Sequence, residues 1–345
     1  MKILVTGGAG FIGSNFIRYM LREHPEDQVI NMDALTYAGN LENLADVEHD
    51  PRYTFVKVDI CHRPFVFEMV KMVDAIVHIA AETHVDRSIL DASSFVRTNV
   101  AGTQTLLDAA VAAGGKRFHH VSTDEVFGAL GPYDPPFNEQ TPYAPRNPYS
   151  ATKAASDHLV RSYFHTHKLP VTLSNCSNNY GPYMFPEKLI PLSISHLFEG
   201  QKIPVYGDGG QVRDWIFVED HCRAIDTVLR HGRMGETYLF GGEAETTNLE
   251  LIRRLLAILG KKESSIEFVK DRPGHDRRYA MDFSKAQQEL GWKPLVSLDE
   301  GLRRTTDWYA AHQDWVARCK SGTYQAYYEQ NYAPKIGALL EEKKV

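Results

Sequence analysis

The chain has 345 residues, 43% hydrophobic and 24% charged, enough to bury a large core and to divide into two lobes. A formal net charge of -6 offers no basic face to nucleic acid, so an anionic ligand must be held by local groups. The four cysteines (61, 176, 222, 319) form no paired motif and read as reduced thiols of a cytoplasmic protein; the start MKILVTGGAG lacks a signal-peptide core, and no run reaches the ~20 apolar residues of a membrane span.

Short apolar runs at 2–6, 29–32, 54–58, 75–79, 118–122 and 171–175 predict buried strands. Between them, 14–22 carries Phe16, Ile17, Met20 and Leu21 on one helical side, and 103–113 is a helix ended by Gly114-Gly115. This alternation predicts an α/β fold, a doubly wound, Rossmann-like parallel sheet. Residues 131–148 contain six prolines; because chemically suggestive residues flank them, an ordered functional loop is expected rather than a linker. After about residue 178 the alternation breaks down among Pro182, Pro186 and Pro191, and Gly207-Asp-Gly-Gly210 marks a turn. Further strands are expected at 215–218 and 238–240, and a Thr247/Glu250 capping box opens a helix over 249–259.

Gly7-Gly8-Ala9-Gly10-Phe11-Ile12-Gly13 follows the first strand and opens the first helix. Glycines at 7, 8, 10 and 13 permit a tight turn and let backbone N–H groups approach a pyrophosphate at the helix N-terminus. Asp33, twenty residues past Gly13, ends the second strand and suits the adenosine ribose hydroxyls. No arginine follows in Ala34-Leu35-Thr36, so a 2′-phosphate would meet a bare carboxylate and the expected cofactor is NAD. Asp59-Ile60 suits the adenine, and Asp59 equally suits a helix cap. The expected division is an NAD-binding domain over 1–177, to which 214–243 returns, and a smaller discontinuous substrate lobe over 178–213 and 244–345.

Tyr149-Ser-Ala-Thr-Lys153 places a tyrosine and a lysine on one helical face. A tyrosine acts as a base near neutrality only if its pKa falls by about three units, about 4 kcal/mol. One ammonium ~4 Å away supplies roughly that at an effective dielectric near 20. Thr123, Asp124 and Glu125 follow a buried strand at the sheet edge where ligands of such folds bind. Two carboxylates in one cleft can divide into a general acid and a general base, although they would also cap a helix.

These residues resemble the dTDP-glucose 4,6-dehydratase family of extended short-chain dehydrogenases/reductases, a resemblance that runs through nearly the whole chain. It includes Asp33-Ala-Leu-Thr-Tyr-Ala-Gly-Asn40, Ala80-Ala-Glu-Thr-His-Val-Asp-Arg-Ser88, Cys176-Ser-Asn-Asn-Tyr-Gly-Pro182, Phe185-Pro-Glu-Lys-Leu189, Val212-Arg-Asp-Trp215 and Asp271-Arg-Pro-Gly-His-Asp-Arg-Arg-Tyr279. The resemblance implies oxidation at C4 by NAD with Tyr149 as base, removal of the C5 proton by Glu125, and protonation of the leaving C6 hydroxyl by Asp124. Hydride then returns to C6; Thr123 and Lys153 assist at the C4 oxygen. By the same resemblance Phe11, Ile12, Asp33, Ala34, Leu35, Thr36, Asp59, Ile60, Ile79, Ala80, Ala81, Thr83, Thr98, Tyr149, Lys153 and Asn179 line NAD. Thr83, Thr123, Asn178, Lys188, Leu189, Pro204, Val205, Tyr206, Arg213, Asn248, Asp271, Arg272, Pro273, Gly274 and His275 hold the sugar nucleotide. Lys188 and Arg213 suit phosphate oxygens; Lys188 would equally be a solvated charge, Arg213 a partner of Asp214, and Asn248 a helix cap.

Some positions depart from the family pattern. Ala34 stands where lysine is common, Phe127 where tyrosine is usual, Met184 where histidine is frequent, and Tyr238-Leu-Phe-Gly-Gly242 where Tyr-Asn-Ile-Gly-Gly is expected. The last two fall towards the expected sugar-nucleotide side. The fifteen histidines show no ligand spacing; His119 and His120 point to opposite strand faces, so no metal is expected. UDP-glucose, CDP-glucose and GDP-mannose are alternative substrates, and a homodimer and a rhamnose pathway are further implications. A 4-epimerase or decarboxylase would share the glycines, Asp33, Tyr149 and Lys153 without needing the acid pair, and an NAD-sensing regulator would need none of these catalytic groups.

Overall fold

The computed structural model describes residues 1–271 and 274–321. Seven parallel strands form the central sheet. In chain order six of them are β1 (Lys2–Thr6), β2 (Gln28–Asp33), β3 (Tyr53–Lys57), β4 (Ala75–His78), β5 (Arg117–Thr123) and β6 (Val171–Cys176). The seventh, Thr237–Phe240, pairs with β6, and the spatial order from there is β6, β5, β4, β1, β2, β3. The doubly wound reading of the sequence therefore holds, with strand ends displaced by a residue at most.

Alternation within strands builds two cores. Leu4, Ile30, Ile76 and Phe118 face the helices Arg63–Lys71, Thr103–Ala112 and Pro148–His167. Ile3, Val5, Val29 and Val77 face Phe11–Glu23 and Val218–His231. Each large apolar side chain fully buried this way contributes about 1.5–3 kcal/mol.

Register positions the site. His120 of β5 is level with His78 of β4, so Val121, Ser122 and Thr123 run beyond the end of β4. That overhang carries the residues that follow Thr123 past the C-terminal edge, beside the start of the helix Pro148–His167. The proline-rich segment 131–148 packs as part of the protein: Phe137 is buried, and its N–H donates to Ala280 O at 2.9 Å.

Two elements differ from the sequence reading. Trp215–Phe217 pairs with Asn178–Tyr180 outside the main sheet, and Val218 opens a helix. The helix expected at 249–259 spans Asn248–Ile258, with Thr247 Oγ1 accepting the Glu250 N–H at 3.1 Å. A further apolar cluster outside the main sheet gathers Tyr180, Ile190, Trp215, Leu251, Leu302 and Tyr309, with Phe11 packed against it.

Candidate active site

The glycine turn is required by contacts as well as by conformation. Gly7 has φ +73°, and a Cβ there would lie 2.7 Å from Ala80 backbone; one on Gly13 would lie 2.2 Å from Gly7 O. The following helix has no side-chain cap at its N-terminus, so its first N–H groups face the turn. A cavity of about 410 Å³ begins here, lined by Gly7, Gly10, Phe11, Ile12 and Gly13. From the end of β2 it takes Asp33, Ala34 and Thr36, and from the next crossover Asp59 and Ile60. Ile79, Ala80, Ala81 and Thr83 close another side, and Thr98 comes from a π-helical turn, Val96–Gly102.

Asp33 accepts the N–H groups of Ala9 and Leu35 at 2.9 and 2.8 Å, which aims its carboxylate at the cavity. Burial raises its pKa, opposed by these two donors. Asp59 does not cap the next helix; it accepts the Cys61 N–H at 2.8 Å and pairs with Arg97 at 2.6 Å. Uncapped N–H groups, a glycine cradle and a carboxylate at the ribose distance along the chain together fit a dinucleotide. Leu35 does not line this cavity, and neither does Asn179, whose amide meets Ser177 O and His221 instead.

A second cavity of about 180 Å³ adjoins the first, and Met184, Glu187 and Lys188 line both. It is bounded by Asn178, Lys188, Leu189, Pro204, Val205 and Tyr206, and by Arg213, Asn248, His275 and Glu125. Arg213 does not pair with Asp214. Its guanidinium donates to Val212 O and Asp276 O and lies 4.2 Å from the Tyr279 ring centroid, while Asp214 accepts the N–H groups of Gly242 and Ala244. Asp271 and Gly274 fall outside the lining; Asp271 accepts from Gln211 at 2.9 Å and is 2.7 Å from His275 Nδ1. Arg272 and Pro273 lie outside the described residues. Asn178 and Asn248 each leave a buried side-chain oxygen without a protein donor.

The Thr123–Glu125 segment and Tyr149 meet at this junction. Thr123 Oγ1 donates to Asp124 Oδ1 at 3.2 Å, accepts the Glu125 N–H at 3.2 Å, and works against the rise of the Tyr149 pKa. Asp124 is 2% exposed, and one of its oxygens has no partner. Burial and then the Glu125 charge push its pKa well up, against a lowering by Arg213, which favours its carboxylic acid form. Glu125 lines the sugar-side cavity and meets Asn147 Nδ2 at 3.4 Å.

The sequence argument for Tyr149 is corrected here. Burial, followed by Glu125, raises its pKa well above the ordinary value, and Lys153 is turned to Val121 O at 2.9 Å. Both side chains are buried and line neither cavity. Sequence reasoning also missed Arg97, Tyr37 and Glu187, which line the cofactor cavity, and Asn147, the cap of the Tyr149 helix. Asn147 had a signal, an Asn before a proline-initiated helix. The Tyr238 departure from the family pattern is moved away from the ligand: Tyr238, Leu239 and Phe240 are buried in the main sheet. Phe127 stacks on Phe137 at 5.0 Å, whereas Met184 does line the ligand cavities.

Residues 4–305 match the family model described as GDP-mannose 4,6 dehydratase. A dTDP-glucose 4,6-dehydratase of Shigella flexneri is 50% identical over 96% of this chain and 99% of its own. The crystal structure of DesIV, a dTDP-glucose 4,6-dehydratase from Streptomyces venezuelae with NAD and TYD bound, is 51% identical with a TM-score of 0.90, covering 93% of this chain and 100% of that one. A UDP-glucose 4-epimerase from Thermotoga maritima with UDP-glucose shares the architecture at TM-score 0.84 but is 28% identical, covering 91% and 100%. The chain therefore belongs to the nucleotide-sugar 4,6-dehydratase family of extended short-chain dehydrogenases/reductases, alongside the dTDP-glucose 4,6-dehydratases.

Proposed function

We propose that this protein converts dTDP-glucose to dTDP-4-keto-6-deoxyglucose, losing one water. The observation that carries the reading is the unequal carboxyl pair: Asp124, buried at 2% exposure where its acid form is favoured, beside Glu125, which faces the sugar-side cavity. A 4-epimerase has no use for such a pair.

NAD, when bound by the glycine turn and Asp33, would supply the redox chemistry, taking up hydride at C4 and returning it at C6. Tyr149 takes the C4 hydroxyl proton, with Thr123 bonded to the same oxygen. Lys153 adds positive charge behind it, which the phenolate needs in a site where burial and Glu125 oppose ionisation. The C4 ketone acidifies C5–H, which Glu125 removes. Asp124 gives its proton to the departing C6 hydroxyl, and a proton returns to C5. Each positioned proton transfer is typically worth ~10²–10⁴-fold. Arg213 and Lys188 are placed to meet the diphosphate, and Asn178 and Asn248 offer buried amides to the nucleotide side.

Mass spectrometry of dTDP-glucose after incubation with the purified protein tests this, with UDP- and CDP-glucose in parallel. A product lighter by one water and carrying solvent deuterium is expected, fastest from dTDP-glucose. Unchanged mass with inverted C4 would replace the reading by a 4-epimerase. The proposal extends to a cytoplasmic homodimer whose product feeds deoxysugar synthesis such as that of rhamnose. Four unpaired thiols support the compartment, and exposed Ile89, Leu90 and Val96 support a partner surface.

A further inference from the structure

Asp157 is fully buried, one helical turn beyond Lys153, and touches neither ligand cavity. Its Oδ2 accepts from Ser122 Oγ at 2.9 Å, Tyr143 OH at 2.8 Å and Asn175 Nδ2 at 3.2 Å, and its Oδ1 lies 3.2 Å from His120 Nε2. Asn175 also donates to Thr123 O at 3.0 Å. Two of these donors thus hold the β5 overhang that carries Thr123, Asp124 and Glu125, while the carboxylate itself belongs to the helix that carries Tyr149 and Lys153. A buried charge that is not paired costs several kcal/mol, so so many donors converging on one carboxylate maintain an ion rather than tolerate one.

We infer that Asp157 is a positioning residue: it is the buried counter-charge one helical turn from Lys153, and the tie that locks the acid–base strand end to the Tyr149 helix. The inference rests on the dehydratase reading above. The groups facing this pair come from every neighbouring element: His78 and His120 from β4 and β5, Cys176 from β6, Tyr143 from the proline-rich loop, and Arg161 from the same helix. Burial draws His120 down to about 4, so it is neutral where an enzyme of this kind works. Arg161 is turned outward to Tyr143 OH and Thr237. His120 is the ring in contact with Asp157, and Lys153, one helical turn away on the same helix, is the buried cation that faces the same cluster. Burial pulls its pKa down, and Asp157 is foremost among the groups that hold it up.

The test is the pH profile of turnover for Asp157→Asn, Asp157→Glu and Ser122→Ala as full-length proteins. Wild-type dehydration of dTDP-glucose, measured first, reports on the dehydratase reading alone; the ratio of variant to wild type reports on Asp157. Losing the charge lets Lys153 deprotonate sooner, so Asp157→Asn is expected to move the alkaline limb of kcat down by about one to three pH units. KM should stay within roughly threefold while kcat at neutral pH falls at least about tenfold, since the groups displaced act in the chemical step. Asp157→Glu keeps the charge and should restore most of the limb. Ser122→Ala cuts a tie but keeps the charge, and should lower kcat without moving the limb. A wild-type limb in Asp157→Asn, or a limb in Asp157→Glu displaced as far as in Asp157→Asn, overturns the counter-charge role. If Asp157→Asn does not fold, judged by thermal melting, the remaining pair decides: wild-type kcat in Ser122→Ala overturns the tie, and an alkaline limb shifted in Asp157→Glu overturns the charge role.

Discussion

Tyr149 sits where its phenolate is disfavoured, buried against Phe95 with Glu125 and Asp124 nearby. Burial and the Glu125 charge also raise the Asp124 pKa, so Tyr149 and Asp124, proposed as base and acid, share one electrostatic environment. Asp124→Asn combined with Glu125→Gln is the sharpest perturbation at this scale. It preserves shape and should preserve binding of both ligands, while dehydrated product falls by ~10²–10⁴-fold or more. Product by mass spectrometry and NAD released on denaturation check the two halves; full turnover would remove both residues from the mechanism. Tyr149 and Lys153 were legible from their spacing. The direction of the tyrosine's pKa was not, because it depends on residues brought close only by folding.

At the scale of elements, the strand–turn–helix of β1 and Phe11–Glu23 was readable because the glycines lie where strand pattern changes to helix pattern. Gly13 exists for packing: its missing Cβ leaves room for Gly7 O. Gly13→Ala should open that turn, destabilise the fold by about 1–3 kcal/mol and strip most NAD from the purified protein. Thermal melting and the absorbance of the denatured extract measure both; a variant that keeps its NAD would show that the turn does not cradle the pyrophosphate. The helix Val218–His231 was missed because its first residue, Val218, read as the end of the preceding strand, Trp215–Phe217. Strands of two or three residues such as Asn178–Tyr180 and Val212–Arg213 carry too little periodicity to be recognised.

For the whole molecule, the two cavities adjoin where Met184, Glu187 and Lys188 line both, and the proposed reaction places the sugar at that junction. Among the described residues no helix is long and apolar enough to cross a membrane. In the proposed homodimer a second copy would cover the exposed Ile89, Leu90 and Val96. Sedimentation velocity should give a species of twice 39.0 kDa; a single 39.0 kDa species at micromolar concentration would remove the homodimer from the proposal.

The order of residues alone determined the sheet, the dinucleotide turn, Asp33 and the Tyr149/Lys153 helix, because local periodicity and turn chemistry are written in consecutive residues. The acid pair was visible too, as neighbours at a strand end. Only the tertiary structure decided which carboxyl is buried, that Arg213 faces Tyr279 rather than Asp214, that Asn179 bonds His221, and that Asp157 accepts from Ser122 and Asn175 of the neighbouring strands. Those outcomes depend on burial and on contacts between distant parts of the chain, and no local pattern encodes either.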